Sequence, residues 1–122
     1  MTSSIELRAG ELHLTLAPQV GGSIARFYSQ RGDQQQQWLR AADTLDPAKP
    51  WTMGSFPLVP YANRIRDGRS SFGPRALHLA ANYPDSKHAI HGTAWQQPWQ
   101  VLTQGTDHAT LDGVLGVGRA HV

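Results

Sequence analysis

The chain of 122 residues contains no cysteine, which excludes disulfide scaffolds, zinc sites built on thiolates and cysteine nucleophiles. It has no apolar run near the roughly 20 residues that span a bilayer, and its first residues lack the basic and apolar regions of a signal peptide. Its formal net charge is only +2, so no dense basic surface for nucleic acid is expected. We therefore expect a cytoplasmic protein whose partner is neither a membrane nor a nucleic acid. The sequence leaves its oligomeric state open.

The chain also has few of the residues that cover exposed helices. It contains two lysines, Lys49 and Lys87, and two glutamates, Glu6 and Glu11. Twelve glycines and eight prolines are spread along its length, so no long stretch is free of helix breakers. The length suits one domain. These features predict an all-β chain.

Alternating polar and apolar residues place the strands. Two strands at 6–8 and 11–16 form a predicted hairpin, and a third strand covers 23–28. A second hairpin is expected from 69–72 and 76–79, followed by a strand at 98–102 and a partner strand that starts at 109–111. The polar residues 30–37, with four consecutive glutamines, are interpreted as an exposed turn, and a buried patch is expected to begin at Trp38.

Residues 51–65 form an apolar segment that does not fit a central strand. Pro57 and Pro60 fix φ and remove backbone donors three residues apart. The segment is therefore predicted to be an ordered, partly buried loop. Such loops tend to line a binding site.

The most informative side chains lie in this loop and in residues 88–95. Asn63 and Arg64 donate hydrogen bonds to hydroxyl groups, and the indole of Trp95 has a flat face for the C–H side of a pyranose. His91 adds proton transfer near neutral pH. Together they suit recognition of a sugar. The alternative is that Arg64 pairs with a surface carboxylate, His91 is a hydrogen-bonded structural residue and Trp95 belongs to the core.

Other chemistries receive less support from the sequence. His88 and His91 with Asp85 lack the spacing of a zinc site, and no metal is expected. The phosphate motif GxGxxG and the serine motif GxSxG do not occur. A phosphate clamp remains an alternative for four arginines, which are Arg64, Arg66, Arg69 and Arg75.

Two segments, FPLVPYANRIRDGR at 56–69 and HAIHGTAW at 88–95, resemble the aldose 1-epimerase (galactose mutarotase) family. The turn at 21–24 and Trp99 fit the same pattern. The resemblance implies the N-terminal part of a large mutarotase-type β-sandwich, the supersandwich, with a sugar site in an open cleft on one sheet. It also implies an isomerase that interconverts the α and β anomers of a free aldohexose without a cofactor.

The resemblance gives roles to individual residues. Arg64, with Asn63 beside it, is similar to the family's arginine that binds sugar hydroxyls. His91 is similar to its first active-site histidine, near the ring oxygen and the anomeric centre. The family's general acid, a second histidine, and its general base, a glutamate, lie further along the chain than these 122 residues extend. No glutamate follows Glu11.

We therefore predict an epimerase-like part at 1–111 and an atypical tail at 112–122, truncated or frame-shifted, in a chain that is inactive alone. Two alternatives remain. One is a carbohydrate-binding module without catalysis. The other is a fragment of a sugar-phosphate mutarotase.

Overall fold

Strands form most of the regular structure in the computed structural model, which describes residues 3–114 and 119–121. The strands are β1 (Ile5–Ala9), β2 (Leu12–Ala17), β3 (Ser23–Arg31), β4 (Gln34–Gln37), β5 (Arg64–Ile65), β6 (Arg69–Phe72), β7 (Arg75–His78), β8 (Ala89–Ile90), β9 (Gln100–Gln104), β10 (Ala109–Val114) and β11 (Arg119–His121). Three short 3₁₀ helices cover Pro50–Thr52, Arg66–Gly68 and Ala94–Gln96, and the described residues contain no α-helix. The all-β prediction is confirmed. Among the described residues, no helix has the length and apolar character needed to cross a membrane.

The first four strands form an antiparallel sheet in the order β1-β2-β3-β4. The predicted first hairpin is confirmed, because Leu7 of β1 pairs with Leu14 of β2. The first core cluster combines Ala17 and Ala25 from this sheet with Val20 and Met53 from the connecting segments.

The glutamine-rich segment differs from the prediction. Residues 34–37 form β4, which pairs with the end of β3, so the turn is confined to Gly32 and Asp33. An edge strand needs only backbone pairing on one side, and its exposed side chains need not be apolar. The expected buried patch is also wrong, because Trp38 is 57% exposed.

The later strands form a second sheet in the order β11-β10-β9. Both predicted strands are present, although β9 begins at Gln100 and not at residue 98. β10 begins at Ala109, as predicted, and continues to Val114, so it crosses the expected start of the tail at residue 112. Leu111 and Asp112 are both buried. Of the expected atypical tail, residues 115–118 and Val122 lie outside the described residues. The second core cluster, Ala94, Trp99 and Leu111, packs against this sheet.

The proline-containing loop is ordered and partly buried, as predicted. Ile24 of β3 and Ser55 exchange two backbone hydrogen bonds, of 2.8 and 3.1 Å, which join the loop to the first sheet. Further along, the N–H of Ala94 donates to the carbonyl of Val59 at 3.2 Å. The loop is thus held by backbone hydrogen bonds at Ser55 and at Val59. The predicted hairpin of β6 and β7 follows it and is exposed throughout.

Candidate functional site

A two-stranded ladder brings together the two segments selected from the sequence. Arg64 of β5 pairs with Ile90 of β8, and Ile65 pairs with Ala89. Both residues of β8 are buried, so this strand is a fixed support for the more exposed β5. The ladder places His91 directly beside Asn63, although 28 residues separate them in sequence.

His91 and Asn63 are joined by two hydrogen bonds. The backbone N–H of His91 donates to the carbonyl of Asn63 at 3.0 Å, and the backbone N–H of Asn63 donates to His91 Nδ1 at 2.7 Å. Because Nδ1 accepts a hydrogen bond, the neutral imidazole must carry its proton on Nε2. His91 therefore has a defined tautomer whose Nε2–H is a hydrogen-bond donor.

Arg64 supplies the positive charge of the site. Its backbone N–H donates to Asn63 Oδ1 at 2.9 Å, which fixes the Asn63 side chain in a local turn. The Arg64 side chain is exposed, and no ion pair engages its guanidinium within residues 3–114 and 119–121. The alternative in which Arg64 pairs with a surface carboxylate is therefore not what the structure shows. Its five N–H donors remain available to a ligand.

Burial of the imidazole, and secondarily the Arg64 guanidinium, lower the pKa of His91 below its ordinary value. Desolvation and a nearby positive charge both disfavour the imidazolium form. His91 is therefore neutral at pH 7. In that state it donates a hydrogen bond through Nε2–H and carries no charge.

This lowered pKa predicts a loss of stability in mild acid. The unfolded chain protonates His91 near the ordinary histidine pKa of 6.5, while the folded chain does so only at lower pH. His91 therefore contributes its full stability above that value and loses it as the pH falls through the folded pKa. Urea unfolding at pH 8 and pH 5 measures the effect. We expect His91→Asn, which keeps a residue that tolerates positive φ, to lose less stability over this range than the original chain. Equal losses in the two proteins would contradict the assignment.

The site opens into a depression of about 520 Å³. This volume lies within the range of about 300–1,000 Å³ that is usual for small-molecule sites. Its lining combines the polar groups described above with apolar and aromatic side chains: Leu58, Ala62, Asn63, Arg64, Tyr83, Ile90 and His91. Asn63, Arg64 and His91 thus meet at one concave surface, as the sequence predicts.

Trp95 does not join them at this surface. Its side chain is only 1% exposed, so neither face of the indole is open for a sugar to stack on. Its Nε1–H donates to the carbonyls of Ile90 and Gly92, and its ring meets the His91 ring edge to face at 6.1 Å. The stacking role expected for Trp95 is not supported. Trp95 is a core residue that packs against His91 from the interior.

Tyr83 is the aromatic residue at the surface of the depression. It is 38% exposed, and its ring meets the Trp51 ring edge to face at 5.1 Å. Sequence reasoning missed it, because the neighbouring Pro84 and Asp85 indicate only a turn. No motif near Tyr83 in the sequence identifies it, because only the folded chain brings it beside Asn63 and His91.

The remaining candidates lie elsewhere. His88 Nδ1 accepts the backbone N–H of Asp67 at 2.9 Å, so His88 and His91 are each held separately by a backbone donor. The described part of the chain contains no group of three or more metal-ligating side chains. Three exposed arginines of the possible phosphate clamp do not line the depression with His91: Arg66, Arg69 and Arg75.

Comparison with known proteins identifies a family for this chain. The family model described as aldose 1-epimerase matches residues 3–116, which include both site segments. The chain belongs to the aldose 1-epimerase family. A protein of Escherichia coli (strain K12), described as the uncharacterized protein YphB, is 30% identical over 109 residues. That match covers 86% of this chain and 34% of the relative.

Solved structures show the same fold. A putative aldose 1-epimerase of Escherichia coli K12 superposes with a TM-score of 0.78 at 27% identity, over 92% of this chain and 36% of that one. A GalM/aldose epimerase homologue from C. elegans gives a TM-score of 0.73 at 20% identity, over 92% of this chain and 35% of that one. The predicted N-terminal part of a mutarotase-type β-sandwich is confirmed. The chain spans about a third of the length of these relatives.

Proposed function

We propose that this chain forms the hexose-binding part of an aldose 1-epimerase site, in which Arg64 and His91 contact the sugar. The observation that carries the proposal is the presence of two unused donors in one open depression. These are the exposed guanidinium of Arg64 and the Nε2–H of His91. Sugar hydroxyls and ring oxygens are acceptors for such donors, and Tyr83 adds an aromatic surface at the same place.

The family reaction interconverts the two anomers by proton transfer. A general base takes the proton of the anomeric hydroxyl, a general acid protonates the ring oxygen, and the bond between C1 and the ring oxygen breaks. The open aldehyde then rotates at C1, and the hydroxyl adds to its other face, with both protons returned. The catalysis consists of proton transfers to and from oxygens of the sugar, so no cofactor is needed.

His91 suits one part of this reaction. A neutral imidazole with its proton on Nε2 stabilises negative charge that develops on the ring oxygen, because it is a fixed donor in a partly dehydrated site. Its low pKa makes it a poor proton reservoir at pH 7. We therefore assign His91 to orientation and charge stabilisation, and the proton transfers to the later histidine and glutamate that the family resemblance implies.

A carbohydrate-binding function without catalysis is the second candidate. It is favoured by one observation, which is that the exposed guanidinium of Arg64 and the Nε2–H of His91 are hydrogen-bond donors that suffice for binding a sugar without any proton transfer. Both candidates require the same contacts from Arg64 and His91, and they differ in whether anomer exchange is accelerated. The expected cytoplasmic location stays a prediction.

Hexose binding can be tested on the 122-residue chain by titrating galactose into ¹⁵N-labelled protein. We expect the amide signals around Arg64 and His91 to shift, and we expect Arg64→Ala to weaken binding by about tenfold or more, since it removes charged hydrogen-bond donors. Tyr83→Ala should also weaken binding. Arg66→Ala is the matched control, because Arg66 is exposed and lies outside the lining of the depression.

Unchanged binding in Arg64→Ala, or signal shifts confined to another surface, would contradict the proposed site. Polarimetry of galactose then separates the two candidates. The 122-residue chain should leave the rate of anomer exchange at its buffer value. A longer product with the later histidine and glutamate should accelerate it if the protein is an epimerase. Competition between galactose and a hexose 6-phosphate tests the sugar-phosphate alternative.

A further inference from the structure

Asn82 contacts the backbone on both sides of His91. Its Nδ2 group donates to the carbonyl of Ile90 at 2.8 Å and to the carbonyl of Gly92 at 2.9 Å. Its Oδ1 atom accepts the N–H of Ile90 at 2.7 Å. One amide side chain therefore makes three hydrogen bonds to the two neighbours of His91.

The same two carbonyls accept a second donor from the interior. Trp95 Nε1 lies 3.2 Å from the carbonyl oxygen of Ile90 and 2.9 Å from that of Gly92. Asn82 is itself held, because Gln96 Nε2 donates to its backbone carbonyl at 2.8 Å. The loop around His91 is thus fastened by two side chains that bind the same pair of acceptors.

The backbone at this point needs such restraint. His91 has a φ of 59° and Gly92 a φ of 68°, so two consecutive residues are left-handed. This conformation is unfavourable for a residue with a Cβ, so His91 keeps it only where its neighbours are fixed. A return to negative φ would move the imidazole away from the N–H of Asn63.

We propose that Asn82 is the positioning residue for His91, and that its bonds to Ile90 and Gly92 keep His91 Nδ1 on the Asn63 N–H and the proton on Nε2. The consequence for sugar chemistry rests on the proposed function, because the fixed Nε2–H is the donor assigned to the ring oxygen. The structural part of the inference is independent of any sugar.

The tautomer of His91 can be observed directly in two-bond ¹H–¹⁵N spectra of the 122-residue chain at a pH where the imidazole is neutral. We expect a single Nε2–H pattern in the original chain. Asn82→Asp keeps the size and the Oδ1 acceptor but removes both Nδ2 donors. We expect the His91 pattern of this variant to become a mixture of the two tautomers.

His88 is an internal control for the fold. Its Nδ1 also accepts a backbone N–H, from Asp67, but Asn82 makes no hydrogen bond beside it. A mixed His91 with an unchanged His88 supports the positioning role. An unchanged His91 pattern in Asn82→Asp overturns it. Gln96→Ala leaves the bonds to both carbonyls in place and should keep the His91 tautomer.

If Asn82→Asp also lost the His88 pattern, the fold rather than the loop would have failed. Asn82→Ser then decides, because it removes the Nδ2 donors to both carbonyls without placing a charge in the loop. A mixed His91 with an ordered His88 supports the inference, and an unchanged His91 overturns it. A second combination of results is also informative. If the Asn82 variant has mixed His91 tautomers but the original chain does not bind galactose, the positioning role stands and only the proposed function is contradicted.

Discussion

Replacing Trp99 with alanine should remove a large part of the free energy of unfolding of the chain. The Trp99 side chain is 1% exposed, and its Nε1–H donates to the carbonyl of Ala94 at 2.9 Å. Its backbone N–H donates to the carbonyl of Pro18, so it joins the first sheet to the later strands. Removal of a buried tryptophan costs about 3–5 kcal/mol, and a small domain has only about 5–15 kcal/mol in total. Urea unfolding monitored by circular dichroism measures the loss.

Trp38→Ala is the matched control for this prediction. It makes the same change in side-chain size, but Trp38 is 57% exposed and makes a single side-chain hydrogen bond, to Ser29. We expect its effect on the free energy of unfolding to stay within about 1 kcal/mol. Similar losses in the two variants would contradict a stabilising role for the buried side chain of Trp99.

Gly92→Ala should disrupt the His91 loop and destabilise the chain by several kcal/mol. Gly92 has a φ of 68°, where a Cβ is unfavourable. A methyl group at this position would also overlap Pro60 Cδ and the carbonyl oxygen of Val59. The left-handed conformation costs about 1–2 kcal/mol, and overpacking adds about 1–3 kcal/mol. Denaturant unfolding and the ring signals of His91 measure the two consequences.

Gly10→Ala separates these two causes. Gly10 has a φ of 59°, close to that of Gly92, but no atom lies within 4 Å of the Cβ that alanine would add. It should therefore lose only the conformational part, about 1–2 kcal/mol, and leave the His91 signals unchanged. A loss in Gly92→Ala no larger than that in Gly10→Ala would contradict a tight contact between the loop and Gly92.

Hairpins and strand positions were predictable because they depend on neighbours in sequence. Alternation in 6–16 fixed the register of β1 and β2, with Leu7 opposite Leu14. The polar strand Gln34–Gln37 was missed because an exposed edge strand has no apolar alternation. Its pairing with β3 depends on backbone groups, which every residue except proline supplies.

The site was predictable in part, by the chemistry of its side chains and by family resemblance. Asn63, Arg64 and His91 do meet in one depression, and no periodicity in the sequence places them there. For Trp95 the sequence allows two roles, because an indole can stack on a sugar or pack in a core. Only its exposed fraction, 1%, distinguishes these roles.

Composition, local alternation and ordered motifs are enough to assign the all-β class, the family and the residue types that a sugar site needs. Which of these groups meet is set by the packing of distant segments. That packing places Tyr83 at the surface, Trp95 in the interior and Asn82 on the backbone around His91. These positions depend on hydrogen bonds and packing between segments of the chain that fold against each other, and no single segment specifies them.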